Sequence, residues 1–399
     1  IVRPPPLDQR KLRRYAAQNH AGDLMPKERV SKCMRVRHSK DVPISVWHSP
    51  GAKSAHYGGL ITCGSVWMCP VCQAKITERR REELSQAVDT WSSHGGTTLL
   101  LTFTIQHERK EKCEAVLDGL LKASSRFWSG SPSKRLRDRF RIVGRVRSLE
   151  VTHGGNGWHA HLHVLLFIKA ELIHSELEDL RGVIINRWQR VLQRDGRWAS
   201  TKHGVDLRAT NKDVVDYVSK YGMEGFNDGN APTPPPAQPG QWTAAHEIAK
   251  SHVKSGRKNG ATPNALLYGS MMGDKQAGRL WVEYAKAFKG QRQLVWSYGL
   301  REKLGLGKDK DDEELALEQR EDSVEMARFK SDEWRVVLGN DIRAEVLAAA
   351  RNGDAWELLD LLEDFGLDDV YLPSLERDPN YHGPHRIYDD PAENGDTEA

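Results

Sequence analysis

GWHAHLHVLLF, residues 157–167, decides how this chain is read. Side chains alternate faces along a strand, so His159, His161 and His163 point one way and Trp158, Ala160 and Leu162 the other. Two imidazoles at i and i+2 on a stiff strand present two nitrogens to one divalent ion. A lone strand histidine is ordinarily a hydrogen-bonded surface or core residue. Three in alternation inside an otherwise apolar strand favour a metal site. Upstream, residues 145–152 (RVRSLEVT) form a second strand, and the glycines of residues 154–157 make the turn of a hairpin. Glu150, eleven residues before His161, is then brought beside the histidines as a third ligand. Two His and one carboxylate with open positions suit Mg²⁺ or Mn²⁺, acting as a Lewis acid on a phosphate oxygen. His153 is a weaker candidate, better explained as a turn residue.

Farther along, residues 213–221 read DVVDYVSKY. Thr210 followed by Asp213 resembles a helix start, and apolar residues follow at helical spacing. On that helix Asp213, Tyr217, Lys220 and Tyr221 share a face. A tyrosine nucleophile makes sense where a phosphodiester is cut and its energy is kept in a covalent phosphotyrosine. A lysine one turn away holds the phosphate or favours the tyrosinate. Alone, Y-x-x-K is a weak signal, because two tyrosines on an amphipathic helix are ordinarily core or edge residues.

Together, H-U-H and Y-x-x-K resemble the HUH endonuclease superfamily, and most of all the rolling-circle replication initiators of plasmids from Gram-positive bacteria. Residues 99–104 (LLLTFT) resemble the first motif of that family, residues 150–167 the second and residues 213–221 the third. Residues 281–300 resemble the region that follows, so the likeness spans roughly residues 60–300. The resemblance implies an initiator that binds a double-strand origin and acts on single-stranded DNA at a hairpin tip. His161, His163 and Glu150 would hold Mn²⁺ or Mg²⁺. Tyrosine attack would leave a 5′-phosphotyrosine and a free 3′-OH, followed by strand transfer. A host helicase is the implied partner, since no G-x-x-x-x-G-K-[ST] motor loop is encoded. Some relatives use paired tyrosines, and others one tyrosine with a carboxylate four residues earlier. Both patterns are met here, by Tyr217 with Tyr221 and by Asp213 with Tyr217. Tyr217 is preferred, because residue 224, where the paired form carries lysine, is Glu.

Cys63, Cys69 and Cys72, with Cys33 upstream, form a third signal. The knuckle CPVC (69–72) suits two thiolates on Zn²⁺, and Cys33 and Cys63 complete a closed structural site. His48 and His56 are alternatives to Cys33. No thioredoxin-like pattern surrounds the C-x-x-C, and five cysteines are too few for a disulfide scaffold. Such cysteine use points to the cytoplasm. Cys113 reads as a buried helix residue.

Charge is unevenly spread. Residues 1–310 carry a balance of +22 and residues 311–399 one of −18, within a net +4. A body this basic suits a polyanion. Arg135, Arg137, Arg139, Arg141, Arg145 and Arg147 are the densest cluster and the candidates for DNA binding. Trp242, Trp281 and Trp296 could stack on bases, although packing explains each more simply. With 29% charged residues, a mean hydropathy of −0.63 and no long apolar run, the chain carries neither a membrane span nor the apolar core of a secretory signal.

The expected fold is α+β: an HUH core with a central antiparallel sheet flanked by helices. Five segments are expected. Residues 1–92 form a basic, zinc-binding start, 93–229 the nuclease core, 230–241 a proline-rich linker, 242–310 a basic extension that binds DNA, and 311–399 an acidic tail, helical near 312–330 and 341–365. Transposases and relaxases of the same superfamily are rival readings, although a relaxase ordinarily carries its tyrosine first. A non-catalytic zinc-containing DNA-binding regulator and a zinc hydrolase using the histidines are the rivals from other classes.

Overall fold

The computed structural model describes residues 9–209, 260–318 and 321–376, and it divides into two units. One comprises residues 1–65, 69–72 and 313–399, the other residues 66–68 and 73–312. Among the described residues the strands are β1 (Ile44–Ser49), β2 (Ser54–Gly58), β3 (Thr97–Thr104), β4 (Ile142–Gly154), β5 (Gly157–Ile168), β6 (Val205–Ala209), β7 (Leu294–Trp296) and β8 (Val324–Phe329). The architecture is α+β, with antiparallel sheets flanked by helices.

The larger unit is built on a five-stranded antiparallel sheet in the order β6-β3-β5-β4-β7. Its centre is the β4–β5 hairpin. Gly157 closes the turn at φ +86°, and a Cβ there would lie 2.5 Å from the carbonyl oxygen of Arg109, so only glycine fits. On one sheet face Leu100, Val146, Leu165 and Phe167 pack against Leu84, Ala87 and Val88 of the helix Pro70–Ser93. On the other, Phe103 stacks on Trp188, with ring centroids 4.2 Å apart, and meets Phe127 edge-on at 4.9 Å. Those rings belong to the helices His174–Gln193 and Cys113–Phe127. Trp281 is buried, and Trp296 packs against the first core, so both serve packing. Trp242 lies outside the described residues.

The smaller unit carries a three-stranded antiparallel sheet, β2-β1-β8. Here the expected helix near residues 312–330 is corrected in part: Asp312–Leu317 is helical, but the rest of the described stretch is not. Val324–Phe329 lies within the expected helix near 312–330, yet it is a strand. It pairs with β1 from Ile44↔Phe329 to His48↔Val324, because the buried Met326, Ala327 and Phe329 complete a sheet that β1 and β2 cannot close alone. Helices Ser331–Gly339, Arg343–Ala349 and Ala355–Glu363 follow. Trp334 is buried beside Tyr57, with centroids 5.1 Å apart, and donates to the carbonyl of Arg35 at 2.8 Å. The described residues of 313–376 thus pack with residues far upstream, and the unit that starts near the expected boundary at 310 is shared by the two ends of the chain. Among the described residues no helix is long and apolar enough to cross a membrane.

Candidate functional site

The sheet register assembles the first cluster. Glu150 lies opposite His161, and His163 lies opposite Ser148 on one side and Thr102 on the other. Along this face the side chains change from Phe167 and Leu165 to His163 and His161, so the apolar core gives way to a polar end of the same strand. Oε2 of Glu150 is 2.8 Å from Nε2 of His163 and 3.1 Å from Nδ1 of His161. One ligand atom from each residue lies within 4.8 Å of the others. Neighbouring ligands of an octahedral ion with bonds of about 2.1 Å are about 3 Å apart, so this donor set fits a single small divalent cation. The side chain of His163 is 2% exposed and that of His161 21%, which leaves the cluster open on the His161 side.

The electrostatics suit a cation. Burial alone would raise the Glu150 carboxyl, but the charges and hydrogen bonds of His161 and His163 outweigh it and hold the pKa down to about 2. Burial pushes His163 below the usual imidazole range, against the pull of Glu150. Oγ1 of Thr102 lies 3.0 Å from Nδ1 of His163. With Nδ1–H donating to Thr102, the Nε2 lone pair is turned toward Glu150, the position of a ligand atom for an ion shared with that carboxylate.

His159 shares the face but not the cluster. Its Nδ1 is 2.9 Å from Nε2 of His107, and burial with the nearby His161 and His107 lowers its pKa to about 4. His153 packs edge-on against Trp158. Neither His107 nor the orienting role of Thr102 was evident from sequence, since both act across strands or loops with no local periodicity.

Cys33, Cys63, Cys69 and Cys72 converge in the smaller unit. Sγ–Sγ separations are 3.5 Å for Cys33–Cys72, 3.7 Å for Cys63–Cys72 and 3.8 Å for Cys33–Cys69. Four thiolates at about 2.3 Å from a tetrahedral ion are about 3.8 Å apart, so the donor set and its spacing fit zinc, while the distances exclude disulfides. The amide of Cys63 donates to Sγ of Cys33, and that of Cys72 to Sγ of Cys69. Gln18 donates to Sγ of Cys69 at 3.3 Å, and its own Oε1 accepts from Arg343 at 3.0 Å. His48 and His56 are not part of the cluster. Cys113 is buried in its helix, and burial, with Glu283 and Glu114, pushes its thiol up to about 12.

The arginine cluster divides. Arg135, Arg137 and Arg139 lie on the helix Gly130–Arg139. Arg139 pairs with Asp179, and Arg141 makes two bonds of 3.0 Å to Glu176. Arg145 and Arg147 lie on β4. Arg135 and Arg139 also line a cleft of about 820 Å³ with Arg126, Arg187, Arg190 and Arg194. The last three recur at i, i+3 and i+7 along the helix His174–Gln193 and its C-cap Arg194, a spacing that sequence reading passed over. Asp213, Tyr217, Lys220 and Tyr221, and the expected linker at residues 230–241, lie outside the described residues.

Residues 60–341 match the family described as Replication protein. A protein from Streptomyces lividans named "Protein rep" is 28% identical over 375 residues, covering 75% of this chain and 77% of that protein. A "Neomycin resistance protein" of Streptomyces cyanogenus is 30% identical over 135 residues, 28% of this chain and 31% of its own. A "Protein rep" of Streptococcus pneumoniae is 27% identical over 107 residues, 26% of this chain and 32% of its own. No solved structure matches.

Proposed function

The chain belongs to the Replication protein family, and from that premise we propose that it starts rolling-circle replication of a plasmid by nicking one strand at the origin. The observation that carries the reading is the Glu150–His161–His163 cluster, with one carboxylate oxygen 2.8 and 3.1 Å from two strand imidazoles. This is the donor set expected of an HUH nuclease core on a central antiparallel strand. Mn²⁺ or Mg²⁺ held there would polarise a non-bridging oxygen of the scissile phosphate.

The chain's own groups do the rest. His161, on the open side, faces the incoming strand, and Thr102 holds the His163 ring in register. The phenolic oxygen of Tyr217 attacks phosphorus, and the bond to the 3′ oxygen breaks. The products are a 5′-phosphotyrosine and a 3′-OH that primes synthesis. Lys220 neutralises the phosphate, and Asp213 activates the water that ends the cycle. Tyr221 is the second choice as nucleophile. The substrate is single-stranded DNA at an origin hairpin, unwinding comes from a host helicase, and the chain works in the bacterial cytoplasm. The four-cysteine site holds structural Zn²⁺.

The test is incubation with a single-stranded origin oligonucleotide and Mn²⁺. A protein–DNA adduct that survives denaturant is expected, and it disappears with EDTA or in His161→Ala. Mass spectrometry of the DNA-linked peptide then distinguishes Tyr217 from Tyr221. Origin binding with no adduct under any of these conditions would instead favour a regulator that does not cut.

A further inference from the structure

Arg145 and Arg147 leave β4 on the sheet face opposite Glu150, beside Leu166 and Val164 of β5. Both are partly buried. The guanidinium carbon of Arg145 sits 4.4 Å from the ring centroid of Trp128. The two arginines line a cleft of about 460 Å³ together with Ser124, Ser125, Trp128 and Ser297. An adjoining cleft of about 370 Å³ adds Arg137 and Tyr298, whose side chain is fully exposed.

Among the described residues neither Arg145 nor Arg147 meets a carboxylate. Other arginines of the same unit do: Arg80 reaches Asp309 at 2.9 Å, Arg141 reaches Glu176 at 3.0 Å and Arg301 reaches Glu83 at 2.6 Å. Nη1 of Arg147 is buried with no hydrogen-bond partner among the described residues. Burial, reinforced by Arg137 and Arg147, lowers the Arg145 pKa to about 10, and burial also lowers that of Arg147; a guanidinium remains cationic at neutral pH by its own chemistry. The C-terminal end of the helix Cys113–Phe127 is close by. It supplies at most about half a negative charge, against two full positive ones. Desolvated cations with spare donors are costly unless an anion completes them.

The fork of a guanidinium matches the oxygens of a phosphate, serine hydroxyls supply further donors, and an open tyrosine ring offers a face to a base. We propose that the Arg145–Arg147 cleft binds a phosphodiester of a DNA strand, with Tyr298 stacking on a neighbouring base, on the sheet face opposite the Glu150–His161–His163 cluster. The proposal rests on the reading that this chain handles DNA. It does not depend on which residues cut it, and it requires neither metal nor tyrosine chemistry.

The test uses the full chain in EDTA and a fluorescein-labelled thymidine 20-mer, with anisotropy read across a salt series. Arg147→Gln is expected to weaken binding about tenfold and to reduce the slope of log K against log salt by about 0.7, the share of one phosphate on a single strand. Tyr298→Ala is expected to weaken binding at least fivefold or so with the slope unchanged. Arg147→Lys restores the slope but not the full affinity. Arg147→Gln melts at or above the parent temperature, because an unpaired buried cation is gone. Unchanged affinity and slope in Arg147→Gln overturn the proposal. So does a lower melting temperature with an unchanged slope, which identifies an internal counter-ion. Stabilisation of the parent by inorganic phosphate, abolished in Arg147→Gln while DNA binding is unaltered, assigns the cleft to a free anion and also overturns it. The nicking reading is judged separately, from adduct formation by the parent chain with Mn²⁺.

Discussion

The hydrogen bond between Oγ1 of Thr102 and Nδ1 of His163, 3.0 Å long, joins two strands through one side chain. It fixes which imidazole nitrogen faces Glu150. Thr102→Val keeps a β-branched residue on β3 but removes that bond. Mn²⁺ affinity by titration calorimetry is expected to fall about 10–100-fold with the fold intact; an unchanged affinity would show that the ring is held by packing alone. His159 gives the contrasting case. It is bonded to His107 and stands outside the cluster, so His159→Ala should leave Mn²⁺ affinity within about threefold, whereas His163→Ala should abolish binding. Equal losses in the two variants would mean that three histidines, not two, bind the ion.

At the scale of elements, the β4–β5 hairpin and the cysteine knuckle each depend on local backbone geometry. Gly157→Ala forces a Cβ against the carbonyl of Arg109 at a positive φ. It should cost about 1–3 kcal/mol and lower the melting temperature. Because the turn sets the register of Glu150 against His161, Mn²⁺ affinity should fall with it, and wild-type behaviour in both measurements would refute this account of the turn. The knuckle is checked with a thiol reagent. Zinc-loaded protein should show no reactive cysteine. Chelation should expose four, while Cys113, buried with its thiol pushed up to about 12, stays protected. Rapid labelling of the cluster in zinc-loaded protein would rule out a closed four-thiolate site.

At the scale of the whole molecule, both ends of the chain build the smaller unit. Arg343, 1% exposed, donates to Gln18, to Asn19 and to the carbonyl of Met34, the residue after Cys33. Arg343→Ala removes the donor to Gln18 and to the Met34 carbonyl, leaving Asn19 only its bond from Arg35, and should cost about 3–5 kcal/mol, read by denaturant unfolding. Deleting residues 313–399 goes further. It strips β8 from β1 and leaves a two-stranded hairpin, so the truncated chain should lose the cooperative unfolding of this unit and aggregate. A truncated chain that melts like the parent would restore the view of this region as a tail.

Local pattern alone determined a good deal: the histidine strand and its hairpin, the grouping of Glu150 with His161 and His163, the cysteine set, and the α+β class. The histidine strand, its hairpin and the CPVC knuckle rest on period-two alternation, a glycine turn or a short ligand spacing, all of which involve neighbours in sequence, whereas the fold class followed the family resemblance and Cys33 was added as the remaining upstream cysteine. Tertiary structure decided what depends on residues far apart. It separated His159 from the cluster by giving it His107, supplied Thr102 from another strand, and paired Val324–Phe329 with Ile44–Ser49. It also divided one run of arginines, giving Arg139 and Arg141 carboxylate partners and leaving Arg145 and Arg147, among the described residues, without one. The physical reason is that a strand's period shows which face a side chain takes, whereas the partner waiting on that face is chosen by the packing of distant segments.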